Sequence, residues 1–281
     1  MVPAVPPIID TAGLAALRAS HEVVLADVRW SLDGSHGLDT YLEGHLPGAV
    51  FVDLDGVLSG PGAPTDGRHP LPTPDAFAAG LGRLGIGHEQ VVVAYDQAGG
   101  GSAGRLVWLL RIIGQPAALL SGGLAAWPGD LESGPVVRTP VRRRSVPWPS
   151  ARFVGADEVA RLANDPSAVV VDARAPERYR GEVEPIDPRR GHVPGAVNLP
   201  LTDNLAADET LLADEELRRL WAPTGALDAE QVVAYCGSGV NAVLDLLVLE
   251  RLGVEGRLFA GSWSGWSADP TRPVATGDAP G

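Results

Sequence analysis

Cysteine is almost absent from this sequence: Cys236 stands alone among 281 residues. One thiol cannot close an internal disulfide, so no staple supports the fold, and a lone free thiol fits a reducing cytoplasm. The histidines, at 21, 36, 45, 69, 88 and 192, show no metal-ligand spacing with that cysteine. No run of about 18 apolar residues exists, so no spanning helix is expected, nor a membrane partner. The opening "MVPAVPPIIDTAG" lacks a basic region followed by an apolar one, so no secretory signal is expected there. Positive charge is in deficit. Lys and Arg total 22 against 35 Asp and Glu, a net charge of −13. That argues against non-specific nucleic-acid binding, and a small anionic ligand would need locally placed arginines. What is present in quantity is hydrophobic, 45% of residues. The length then suggests roughly two domains of about 150 residues each.

The chain repeats itself. "EGHLPGAVFVDL" (43–54) returns as "RGHVPGAVNLPL" (190–201), and "VVLADVRW" (23–30) as "VVVDARAP" (169–176). "VVVAYDQAGGGSAGRLVWLLRIIG" (91–114) returns as "VVAYCGSGVNAVLDLLVLERLG" (232–253), and "LLSGGLAAW" (119–127) as "LFAGSWSGW" (258–266). The order is the same in both halves, at offsets near 140 to 147. Such a spacing is a duplicated domain and not a solenoid, whose period is about 20–50 residues. We expect a first domain over 1–135, a linker over 136–152 and a second domain over 153–281. The linker is proline-rich and carries Arg142–Arg144, a basic run that reads as a solvated surface stretch.

Within each copy the apolar runs are short, β-branched and continuous: Val23–Leu25, Val91–Ala94, Val169–Val171 and Val232–Ala234. Strands buried on both faces read this way. Helix-like segments lie between them, at 73–85 and 155–165, the second with Asp157 or its predecessors as a possible cap. Alternating strands and helices predict an α/β domain with a mostly parallel sheet, which binds ligands at the carboxyl ends of its strands. Cys236 falls at such an end. A helix is expected over 239–252, with Val240, Val243, Leu244, Leu247 and Val248 on its apolar face.

Cys236 therefore precedes a helix N-terminus, with Gly237 and Gly239 free to turn backbone N–H groups inward. Such a nest stabilises an anion and favours the thiolate over the ordinary pKa of about 8.5. In the first copy the aligned residue is Asp96, which cannot act as a thiol, so only the second copy is expected to carry chemistry. A phosphatase loop would place an arginine six residues after the cysteine; here Ala242 stands there. A cysteine protease would need a partner histidine that no nearby residue identifies.

The duplicated "GHxPGAV", the "CGSGV" loop and the closing "GSWSGW" resemble the two-domain rhodanese-like sulfurtransferases, the 3-mercaptopyruvate/thiosulfate sulfurtransferase family, over essentially the whole chain. The resemblance implies tandem rhodanese-like domains, with Cys236 as nucleophile in the second. Thiosulfate-using members carry basic residues after the cysteine; mercaptopyruvate-using members carry a Gly-Ser pair, matched by Gly237 and Ser238. The family's carboxylate-holding arginines correspond to Arg178 and Arg189, with Arg190 competing for the second place. Its serine relay corresponds to Ser238, His69 and Asp55, with Asp53 nearby. Gly237, Gly239, Val240 and Asn241 form the loop that cradles the persulfide. Asn241 departs from the family's usual threonine, and its side chain is expected to reach across the loop. His45 and His192 occur in both copies and so are expected to be structural.

The implied activity is transfer of a sulfur atom from 3-mercaptopyruvate, through a Cys236 persulfide, to a thiol, cyanide or a small thioredoxin-like protein. Thiosulfate as donor is the alternative, and a non-enzymatic sulfur-relay or regulatory module is another. No metal or organic cofactor is implied.

Overall fold

The β-branched runs become the central strands of two parallel sheets, one in each half of the chain. The first half runs β1 (Ile8–Ile9), α1 (Thr11–Ser20), β2 (Val23–Asp27), α2 (Gly37–Glu43), β3 (Val50–Phe51), α3 (Leu54–Val57), α4 (Pro74–Arg83), β4 (Val91–Tyr95), α5 (Gly101–Ile112) and β5 (Ala117–Leu120). Its strands are ordered β1-β5-β4-β2-β3, all neighbours parallel. The second half runs α6 (Ala156–Leu162), β6 (Ala168–Asp172), α7 (Pro176–Tyr179), β7 (Val197–Asn198), α8 (Asp214–Trp221), β8 (Gln231–Tyr235), α9 (Ala242–Leu252), β9 (Gly256–Leu258) and α10 (Ser262–Ala268). Its order is β7-β6-β8-β9, again all parallel. This computed structural model describes residues 5–31, 37–97 and 99–281. His36 lies outside them.

Helices pack against both sheets, which is why the central strands carry apolar residues without alternation. One core joins Leu25, Val91, Val93 and Tyr95 to Leu14 and Leu46. The other joins Val170, Val233 and Tyr235 to Val159, Leu162, Trp263 and Trp266. The expected helices form with shifted ends. Thr73 caps α4 by accepting from the N–H of Ala76, with Pro74 as first residue. Gly155 holds the N-cap of α6 without a side-chain bond, so Asp157 sits inside the first turn and caps nothing. The helix expected from 239 begins at Ala242, because Gly239 takes a left-handed φ of 74° and stays in the loop.

The chain forms two compact units that follow the duplication with an exchange. One takes the chain up to Gly60, Leu71–Trp148 and Ala207–Leu211; the other takes Pro61–Pro70, Pro149–Ala206 and Leu212–Gly281. Most of the expected linker thus belongs with the first unit. Its basic run is not uniformly solvated, since Arg143 is buried and donates to the carbonyls of Ile86 and Gly87 and to the Gln115 side chain. Burial pushes its guanidinium pKa down to about 10. His45 and His192 do the same work in their own copies. Each stacks on a tyrosine, Tyr41 at 4.1 Å and Tyr179 at 3.7 Å, and each pairs Nδ1 with that tyrosine's carbonyl at 2.8 Å. No helix among the described residues is long and apolar enough to cross a membrane.

Candidate active site

β8 delivers Cys236 to its carboxyl end, where the thiol residue is 4% exposed. The loop that follows is tied to the start of α10. The Cys236 N–H donates to Ser262 Oγ at 3.2 Å, and the Cys236 carbonyl accepts from Trp263 N–H at 2.9 Å. The Gly237 carbonyl accepts from Ser264 N–H at 2.8 Å. Ser262 holds a φ of 50°, left-handed for a residue with a side chain. Such a conformation costs about 1–3 kcal/mol. It is retained here with its hydroxyl against the cysteine's own N–H. A Cβ at Gly239 would overlap the Ala260 carbonyl oxygen, so that position also requires glycine. Val240 is buried in the loop. Asn241 is exposed at the N-cap of α9 and caps nothing; among the described residues its side chain makes no hydrogen bond, contrary to the expected reach across the loop. The first N–H groups of α9 are left to face the loop without a side-chain cap.

The first copy displays what such a nest does with an anion. Asp96 Oδ1 accepts from Gly100 N–H at 2.9 Å, and Oδ2 accepts from Ser102 Oγ at 2.9 Å and Ala103 N–H at 3.0 Å. The carboxylate caps α5 from within the loop. Where Ser262 stands in the second copy, the first has Gly123, with φ 52°.

Ser238 and His69 meet. Both are buried, and Ser238 Oγ and His69 Nδ1 share a hydrogen bond of 2.8 Å. His69 arrives on Pro61–Pro70, which packs on α10 through glycines. A Cβ on Gly67 would lie 2.5 Å from the Gly261 carbonyl oxygen, and one on Gly265 would lie 2.6 Å from that of Thr65. Arg68 N–H donates to Ser264 Oγ at 3.0 Å and locks the segment. Asp55 belongs to the first unit, where Oδ2 accepts from the Trp30 indole N–H at 3.2 Å.

The arginines divide. Arg178 lies at the loop: a Cβ on Gly237 would stand 3.4 Å from Arg178 Nη1 and 3.1 Å from Arg68 Nη2. Arg68 was missed in the sequence, although it directly precedes His69 in "GRHPLP". Arg178 Nη2 donates to Glu184 Oε1 at 2.6 Å and to Asp187 Oδ2 at 3.2 Å, and Arg68 Nη1 pairs with Asp187 Oδ1. Burial opposes ionisation of Glu184, but the bonds from Arg178 and the Asp187 and Ile186 N–H groups outweigh it, and its pKa lies below the usual range. Asp187 is pushed up by burial, against the pull of Arg68 and Arg178.

Arg189, expected to hold a substrate carboxylate, is engaged elsewhere. Its guanidinium donates to the carbonyls of Trp266, Ser267, Asp269 and Arg272 at 2.6–2.9 Å, closing the C-terminal end of α10. A planar fork of five donors satisfies several orphan carbonyls at once, which explains the choice of arginine. Arg190 is exposed and donates to the Glu182 carbonyl. Arg68, and not Arg189, lies beside Arg178 at Gly237.

Comparison with known proteins identifies the family. The family model described as "Rhodanese-like domain" matches residues 10–130 and 155–269. A Pseudomonas aeruginosa protein carrying the name of a 3-mercaptopyruvate sulfurtransferase is 43% identical over 94% of this chain and 96% of its own. A Mycobacterium tuberculosis protein carrying the name of a thiosulfate sulfurtransferase is 40% identical over 97% of this chain and 98% of its own. The solved 3-mercaptopyruvate sulfurtransferase from Leishmania major superposes with a TM-score of 0.79, at 30% identity, over 94% of this chain and 74% of that one. The chain belongs to the rhodanese-like family and carries its domain twice.

Proposed function

We propose that the protein is a sulfurtransferase that takes sulfur from 3-mercaptopyruvate and passes it on through a persulfide at Cys236. The observation that carries this reading is the 2.8 Å hydrogen bond between Ser238 and His69, two residues along the loop from the only thiol. In the first step the Cys236 thiolate attacks the donor sulfur. A sulfur–sulfur bond forms, the donor's carbon–sulfur bond breaks, and its electron pair leaves in the enolate of pyruvate. That carbon needs a proton. Ser238 hands it over and recovers one from His69, a general-acid role. The family resemblance alone assigns Asp55 to this relay, and the mercaptopyruvate rate of Asp55→Asn tests it. The loop N–H groups and the α9 N-terminus hold the persulfide's charge. Arg68 Nη2 and Arg178 Nη1 hold the donor carboxylate, the planar group that a guanidinium pair fits. In the second step a thiol, cyanide or a thioredoxin-like protein attacks the outer sulfur, and the Cys236 thiolate returns. A reducing cytoplasm suits such a thiol.

Thiosulfate is the second reading, favoured by the name of the relative that is 40% identical. Its leaving group, sulfite, needs no proton, so it gives the Ser238–His69 pair nothing to do. The test is intact-mass spectrometry after mixing with each donor and no acceptor. A gain of about 32 Da, one sulfur, at Cys236 is expected. No adduct with either donor would end the enzyme reading. Steady-state rates with both donors on one preparation then rank them.

A further inference from the structure

We propose that Asp187 is a specificity-determining counter-ion: bridging Arg68 and Arg178, it cancels their charge and so selects a donor with one carboxylate over a dianion. This rests on the sulfurtransferase reading above. The carboxylate of Asp187 is 3% exposed and takes one guanidinium on each oxygen. Behind it Glu184, 1% exposed, holds both Arg178 and Arg174, and Asp172 holds Arg174 in a two-pronged pair. Three guanidiniums therefore meet three carboxylates, and the formal charge cancels. Arg189 is turned away onto the end of α10.

What remains pointing at Gly237 is two guanidinium nitrogens, Arg68 Nη2 and Arg178 Nη1, with no hydrogen bond to any described residue. They offer directed donors without a surplus of positive field. A carboxylate is recognised by such donors; a dianion needs net charge to repay its desolvation. Without Asp187 three guanidiniums would face two carboxylates, and one uncompensated charge would meet any anion approaching Cys236. One added unit of charge at a few ångströms, in a half-wet site, changes binding by roughly tenfold per unit of ligand charge.

The test compares Asp187→Asn, Asp187→Glu and wild type. In Asp187→Asn the ratio of kcat/KM for thiosulfate to that for mercaptopyruvate should rise about tenfold, carried by KM. Asp187→Glu, which keeps the charge, should stay near the wild-type ratio. An unmoved ratio, or an equal loss with both donors, would mean that Asp187 merely props the arginines, and would overturn the proposal. Alkylation of Cys236 reads the same charge without turnover. The rate with iodoacetate, an anion, relative to neutral iodoacetamide should rise about tenfold in Asp187→Asn, and a flat ratio would overturn the proposal. Should Asp187→Asn fail to fold, wild type decides: a cancelled site predicts a rate ratio insensitive to sodium chloride, and a steep salt dependence would contradict it. A wild type that forms no persulfide with either donor defeats the sulfurtransferase reading instead, and with it the donor selection, while alkylation still reports the charge at the thiol.

Discussion

Asp245 puts a carboxyl into the apolar interior of α9. It is 0% exposed, Oδ1 accepts from Asn204 Nδ2 at 2.9 Å, and Oδ2 has no partner among the described residues. Asn204 in turn accepts from the Trp221 indole N–H at 2.8 Å. Burial, reinforced by Asp172 and Asp203, pushes its pKa well above the usual range. The folded state then keeps a proton that the unfolded state releases above about pH 4. Stability should fall as pH rises from there toward the folded pKa. Asp245→Asn should abolish that fall, giving a higher Tm than wild type at pH 8 and a difference that closes toward pH 4; parallel curves would refute the assignment. At Arg189 the expected outcome is the reverse of a binding residue's. Arg189→Met should cost about 2–4 kcal/mol by stranding carbonyls of the last turn, with the KM for mercaptopyruvate unchanged; a raised KM on an unaltered melt would return Arg189 to the substrate. Neither role was legible beforehand. An acid inside "AVLDLLVLERL" does not announce a buried proton, and a family match at Arg189 says nothing about which carbonyls the fold brings to it.

The loop from Cys236 to Asn241 was the most legible element, because its glycines answer to geometry: Gly239 cannot carry a Cβ beside the Ala260 carbonyl. The loop's partners were less so. Arg68, Glu184 and Asp187 lie on irregular segments with no period to expose them, and only Arg68 had a clue, the neighbouring His69. Two predictions belong at this scale. Ser238→Ala should lower mercaptopyruvate turnover by about 10²–10⁴, the usual effect of a lost general acid, and leave thiosulfate turnover less affected. Steady-state rates with both donors check it, and an untouched mercaptopyruvate rate would remove the relay. Gly237→Ala should put a methyl against the paired guanidiniums, 3.1 and 3.4 Å away. KM for mercaptopyruvate should rise several-fold with little change in kcat; an unchanged KM would place the carboxylate elsewhere.

The duplication and the all-parallel sheets were legible across the whole molecule, since they follow from repeated strings; the silence of the first copy is a proposal that rests on Asp96 in the cysteine's place. Asp96→Ala should cost about 1–3 kcal/mol in chemical denaturation by stripping the cap from α5, with both donors turned over as before. A loss of turnover without loss of stability would give the first copy a catalytic part. Less legible was the exchange of chain between the compact units, because a repeat marks similarity and not packing. Pro61–Pro70 folds with the second unit and Ala207–Leu211 with the first. A gene severed in the linker would encode two fragments, each missing a piece encoded by the other, and the fragment bearing Cys236 would be without Arg68 and His69. On the roles proposed for Arg68 and His69, neither fragment would suffice alone, and a copy with no thiol of its own would stay under selection for what it contributes to its sibling.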